Sequence, residues 1–552
     1  MRFALFLTFF AALLCAQDDK CRVEGQVLSI LGAPLKKATV RLSAASEMNQ
    51  SNFSNYSVQG DDEGKFLFED VKPGTYVLSA ERTGYLQQYY GARSTTAGAT
   101  QIKLVAGQAM KDLVFKLTPQ GMIYGTVVDQ DGDPLPGAQI QAVRWAYVNG
   151  KKRLTESADQ QSQADGSFII GGLTTGRYFL SADVPQGPIP WVVEQAGNKK
   201  VKDTYLKTFF PNALDVGSAS LVDVARGAEV RGIEIRVQRG RTFEISGKVE
   251  SRLGKFNYIY VALTRNGETS PDLRRQGAQV NPATGVFLMN GITPGTYTIQ
   301  TQGAEVETKD PTGEFTKATP LVGHAEVTVV DRNVDNVIVS LDTGVEIRGR
   351  IKREGEIPDL DKATLAVQFN DDSLTYGSSE EADKDGAFRM QAVSARAFRV
   401  AVTGLPGNAY VKAISFEGTE LLDRQIDLSA GRGGAMEILL SPDGAEVTGI
   451  VHDADAKPVP GAVVQICDAE NKSLDMRNAD INGVFELKGL APGVYKVFAW
   501  EDRGDGIISD ADFRKSFESK AIVVKLSEKS RENIDAALIP KDAMDAEAVK
   551  IQ

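Results

Sequence analysis

Residues 480–502 read DINGVFELKGLAPGVYKVFAWED. Gly483 is followed two residues later by Phe485, and Pro492-Gly493 leads into Tyr495. The order is turn, strand, turn, strand, because Gly and Pro punctuate two short alternating runs. Taken alone, these residues could outline a pocket. The same spacing recurs, however, as Gly64-x-Phe66, Gly166-x-Phe168, Gly285-x-Phe287 and Gly386-x-Phe388. In every copy an aromatic stands twelve residues after the glycine: Tyr76, Tyr178, Tyr297, Phe398 and Tyr495. These aromatics are 102, 119, 101 and 97 residues apart, so the chain is built from five repeats of about 100 residues.

Each repeat opens on a similar strand: VEGQV at Gly25, IYGTV at Gly125, ISGKV at Gly247, IRGRI at Gly349 and VTGIV at Gly449. In units one, two and five a proline-bearing turn and a second alternating strand follow, as in GDPLPGAQIQA and AKPVPGAVVQI. Units three and four lack that turn. Each unit closes on a short strand (LVFKL, IEIRV, VIVSL, MEILL, IDAAL), and the next begins a few residues later. About seven short strands per unit with almost no helical period predict an all-β chain. The expected form is a tandem array of antiparallel, seven-stranded Greek-key β-sandwiches. Linkers this short predict a semi-rigid rod or gently curved array. Both sheets of a sandwich need inward apolar side chains, so the repeated aromatics are read as core or corner packing, with each Tyr hydroxyl seeking a partner.

The expected boundaries are 1–16 for a signal peptide, then sandwiches over 17–119, 120–240 (with an insertion), 241–342, 343–442 and 443–541, and a tail over 542–552. The first segment follows from Met1-Arg2 and the twelve-residue apolar run Phe3–Leu14, too short to span a bilayer. It implies a secreted, periplasmic or extracellular protein. No second long apolar run is present. The formal charge of -11 disfavours nucleic acid and anionic membranes as partners. Beyond Ala16 only Cys21 and Cys467 remain, near opposite ends of the chain, and no disulfide is expected between them.

The series I-x-G-x-V, D-x-x-x-P-x-P-G-A-x-V, D-G-x-F and P-G-x-Y resembles the carboxypeptidase regulatory-like domain. That domain is a transthyretin-like (prealbumin-like) sandwich close to the collagen-adhesin B-type repeats. Units two and five match best, and units three and four keep the first strand and the later half. The resemblance implies the sandwich fold, grouped with carbohydrate-binding-like folds. It implies no single function, since such modules occur in adhesins, envelope proteins, transporter extensions and beside carboxypeptidase catalytic domains. B-type repeats can also carry an internal Lys–Asn bond. Here Lys248 is in unit three's first strand and Asp535 in unit five's last, so no unit offers the pair.

The residues argue against catalysis. The two histidines, His324 and His452, fall in different units, and neither H-E-x-x-H nor G-x-S-x-G occurs. No cofactor is expected. Asp129, Asp131 and Asp133 alternate as calcium ligands can, although turn-forming Asp is the plainer reading. For glycan contact the candidates are Trp191, Tyr205, Phe209 and Phe210, in unit two's insertion, and Trp500 beside an acidic loop; the competing reading is that they pack the insertion down. The chain therefore reads as a secreted, non-catalytic binding or scaffold protein of the cell envelope, with a glycan or envelope protein as partner and no evident oligomerisation element. An accessory subunit of a separately encoded envelope enzyme or outer-membrane transporter is the alternative.

Overall fold

The computed structural model describes residues 20–551, apart from 45–54, 93–98, 149, 185–201, 255, 257–258, 267–275, 304, 310–314 and 371–377. The signal-peptide expectation and Trp191 lie outside the described residues. The architecture is nearly all β. The sheets group into pairs around five separate buried cores, one per sequence repeat.

Unit five shows the plan. One sheet orders Val484–Leu490, Ala445–His452 and Arg531–Ala537; the other orders Ser473–Asn478, Val463–Cys467, Gly493–Trp500 and Ile522–Leu526. The opening strand pairs antiparallel with the G-x-F strand and parallel with the closing strand. The same mixed pairing recurs in the other four units, so the sandwiches are not purely antiparallel. A parallel closing strand ends at the pole opposite the one where the unit began, which lets the next unit follow after a short linker.

The repeated glycines and phenylalanines interlock. Gly25, Gly125, Gly247, Gly349 and Gly449 stand directly across from Phe66, Phe168, Phe287, Phe388 and Phe485. A Cβ on any of these glycines would meet the facing ring within 2.8 to 2.0 Å. Each ring thus occupies the space that a side chain would take, and it lies in the core. The turn before each phenylalanine is also built alike. Asp480 Oδ1 accepts the N–H groups of Asn482 and Val484, both at 2.8 Å, while Gly483 takes φ 76°. Asp61, Asp165, Asn281 and Asp383 hold the corresponding turns.

The tyrosines close the opposite corner. Tyr76, Tyr178 and Tyr297 each donate to the carbonyl four residues upstream at 2.8 Å, and Tyr495 does so to Ala491 at 2.6 Å. Phe398 fills the same buried position in unit four without a hydroxyl. Tyr495→Phe should therefore cost unit five about 1 kcal/mol, the typical value of one such bond. Denaturant unfolding would measure it; a cost near that of a full side-chain truncation would contradict the corner role.

Unit four carries a charge cluster on its sheet face. Arg389 clasps Glu346 at 2.9 and 3.1 Å, and Arg348 also contacts it. Arg389 first, then Arg348, hold the Glu346 carboxyl down to about 2 from its usual 4.5. Because the folded value is the lower one, this contribution is complete above about pH 4.5 and fades as the pH falls toward 2. Glu346→Gln should flatten the fall in unit-four melting temperature over that acid window. An unchanged acid slope would refute the assignment.

The rod expected from short linkers does not hold. Unit five reaches back to unit one, where Asn478 Nδ2 donates to the Ala99 carbonyl at 3.1 Å and Ile481 packs on the core. It also meets unit two, where Arg144 pairs with Asp505 at 2.6 Å. A Cβ on Gly506 would lie 2.0 Å from the Tyr147 carbonyl oxygen, so the two backbones touch. The chain closes on itself. Linker length limits the freedom of neighbouring units, but the direction of each bend is set by side-chain contacts that carry no period.

Candidate functional site

Unit five differs from the others after Trp500. A 3-10 segment (Gly504–Ser509), a short helix (Ala511–Ser516) and a second 3-10 turn (Glu518–Lys520) precede its next strand, and the C-terminal tail is a helix, Lys541–Ile551. These elements cover a second core. Trp500 is fully buried, stacked on Phe498 at 5.2 Å and against Phe517 and Phe513 at 5.4 and 5.9 Å. Its indole N–H donates to Gln465 Oε1 at 2.9 Å, and Gln465 Nε2 donates to the Ile508 carbonyl at 3.0 Å. The buried Arg514 guanidinium donates to the same carbonyl at 2.6 Å and to that of Asn471. Met544 of the final helix is buried in the same cluster, as is Cys467, whose thiol burial pushes up to about 11. Trp500 is therefore no ligand platform, because Phe498 and the helical cover take its ring and Gln465 of the neighbouring strand takes its N–H.

The insertion of unit two is likewise structural where it is described. Lys202–Tyr205 pairs antiparallel with unit three's first strand, Arg239–Ser251. Tyr205 stacks under Arg239 at 4.7 Å and accepts its N–H at 2.6 Å. Phe209 is buried, and Phe210 packs on the unit-two core. So Tyr205 ties unit three to unit two, whereas Phe209 and Phe210 pack within unit two, and Tyr205 and Phe209 border a cleft of about 400 Å³ against unit three. Asp129 does not converge with Asp131 and Asp133 on a cation position. Its Oδ1 accepts their N–H groups at 2.9 and 3.0 Å, and its Oδ2 faces Tyr205 and Arg239. Burial pushes its carboxyl up, but the N–H groups of Asp133 and Asp131, then Tyr205 and Arg239, outweigh this and hold it below the usual range. Among the described residues no group of three His, Cys, Asp or Glu could hold a metal ion. Lys248 ends on Glu250 of its own strand at 2.9 Å, in a different unit from Asp535.

The polar groups that do converge lie where three units meet. A cleft of about 580 Å³ is walled by units one, two and five. The long hairpin of unit two, Gln139–Val148 with Lys151–Gln161, brings Arg144, Trp145 and Lys152 to it. Arg144 is the pin of the closure: one nitrogen pairs with Asp505, another donates to Thr174 at 3.1 Å, and the group lies over the Tyr178 ring at 5.7 Å. Burial pushes the Asp505 carboxyl up, and Arg144 opposes that shift. Trp145 is half-buried, with the Lys152 ammonium 5.3 Å from its ring. In the sequence Trp145 stands in the run QAVRWAYVNG, and no spacing there marks a side chain whose neighbours come from other units.

Residues 22–118 match the family model of the carboxypeptidase regulatory-like domain. The first unit is thus similar to the carboxypeptidase regulatory-like domain over that stretch. No curated protein matches the chain. Among solved structures it is similar to the minor pilin of Streptococcus agalactiae, at 15% identity over 40% of this chain and 96% of that one, with a TM-score of 0.22. It is also similar to a streptococcal ancillary pilin (12% identity, 58% and 99% coverage, TM-score 0.19). A third is the major pilin subunit of Bacillus cereus (11% identity, 58% and 99%, TM-score 0.14). Scores this low carry no argument about what the chain does. No helix among the described residues is long and apolar enough to cross a membrane.

Proposed function

We propose that the chain is a non-catalytic binding scaffold of the cell envelope, in which five sandwich modules hold an inter-unit cleft open to a partner. The observation that supports this most is the closure of unit five onto units one and two around that cleft. Every repeated motif residue already has a packing or turn-closing role inside its own unit, so the repeats supply frame and not chemistry. His324 begins an exposed edge strand in unit three, while His452 in unit five lies beside the Asp453 carbonyl at 3.4 Å, so they share no site. Clefts at module boundaries are common places for ligands. The test uses the full mature chain in a glycan array and in a pull-down from envelope extract. Retention of a defined glycan or protein, lost when Arg144→Glu opens the cleft, supports the reading. Binding that survives the opening places the partner elsewhere, and turnover of a bound molecule would overturn the non-catalytic reading.

A further inference from the structure

Five cationic and three carboxylate side chains line the three-unit cleft, in a chain whose formal charge is -11. The carboxylates are already paired. Asp505 is held by Arg144 at 2.6 Å, and Lys541 lies 3.0 Å from Asp545 and 3.7 Å from Asp502. Lys116 on unit one's closing strand, and Lys152 and Arg226 of unit two, have no carboxylate partner among the described residues. Lys152 is half-buried and Lys116 and Arg226 are exposed, and a concave wall focuses the field of such charges on an arriving anion.

The other lining groups narrow the ligand. The half-buried indole of Trp145, packed on the Phe209 cluster with the Lys152 ammonium over its ring, borders the cleft, and Thr118, Thr175 and Gln88 offer hydroxyl and amide groups. An aromatic plane beside short polar side chains suits a ring-shaped, hydroxyl-rich molecule. An extended peptide would call for an open strand edge or an apolar groove. The volume, about 580 Å³, falls within that of small-ligand sites. Resting on the binding-scaffold reading, we propose that this cleft takes an acidic oligosaccharide, its carboxylates facing Lys116, Lys152 and Arg226 and a sugar ring set against the Lys152–Trp145 pair.

The test is titration of the full mature chain with oligogalacturonate, followed by calorimetry and tryptophan fluorescence, beside fully methyl-esterified oligogalacturonate and oligoglutamate. Expected are binding of the free acid alone, a fluorescence change abolished by Trp145→Phe, and an affinity about tenfold weaker in the double variant Lys116→Ser/Arg226→Ser. That variant should melt like the parent, since neither side chain has a hydrogen-bond or ion-pair partner among the described residues. Equal binding of the neutral ester, or no effect of the double variant, overturns the charge argument. Equal or tighter binding of oligoglutamate makes the occupant an acidic protein. No binding of any probe by a chain that still retains a protein in the pull-down overturns the oligosaccharide and leaves the scaffold standing.

Discussion

Gly449→Ala should unfold unit five at a cost of about 3 kcal/mol or more, the upper range for forcing atoms into a packed core. The added Cβ would lie 1.9 Å from the Ile534 carbonyl oxygen and 2.8 Å from the Phe485 ring. The first neighbour is backbone of the parallel closing strand and cannot turn away. Gly449↔Ile534 is a ladder pair, so relief requires parting the two strands. Phe485→Leu in the same chain relieves only the ring contact and should restore at most a small part of the loss. Calorimetry resolves this as a fall in the unit-five transition with the other units unmoved. A loss under about 1 kcal/mol would show that the opening strand has slack that its packing does not suggest.

Trp500→Ala should be nearly as costly and should act at a distance as well. Removing a large buried aromatic costs about 4 kcal/mol, and it also leaves Gln465 Oε1 buried without its donor. The same core carries the helical cover that meets Tyr147 and presents Asp505 to Arg144. When it loosens, unit five should part from unit two, and the radius of gyration in small-angle scattering should rise. Arg144→Ala separates the two effects, because it cuts the contact and leaves the Trp500 core intact. A Trp500→Ala chain that melts lower yet keeps its radius would mean that the contacts with unit one, at Asn478 and Ile481, hold the closure by themselves.

How far the sequence reads depends on the range over which its residues act. The roles of Phe485 and Tyr495 were legible because five copies share their spacing, and each partner lies in the same unit: Gly449 across one ladder, the Ala491 carbonyl four residues back. Phe398 was informative for the same reason, since a position that tolerates loss of the hydroxyl is a packing position. The reason for the opening-strand glycine was not legible. Alternation explains the branched residues on either side, but the space claimed by a ring on the neighbouring strand appears only when the strands are in register. Trp500 and Phe209 misled as candidate platforms because an aromatic in an unrepeated segment carries no sign of what covers it. The cover of Trp500 is a pair of short helices whose apolar residues are too few to show a period.

By itself the sequence determined the all-β sandwich class, the repeat and the packing duty of its aromatics, because strand alternation, turn residues and in-unit contacts are short-range and written five times. Tertiary structure alone decided the closure of unit five on units one and two, the burial of Trp500 and the charge excess of the cleft. Those rest on single contacts between distant parts of the chain, such as Asn478 with Ala99, 379 residues apart. A contact made once, between side chains that no repeat copies, leaves no pattern along the chain from which it could be read.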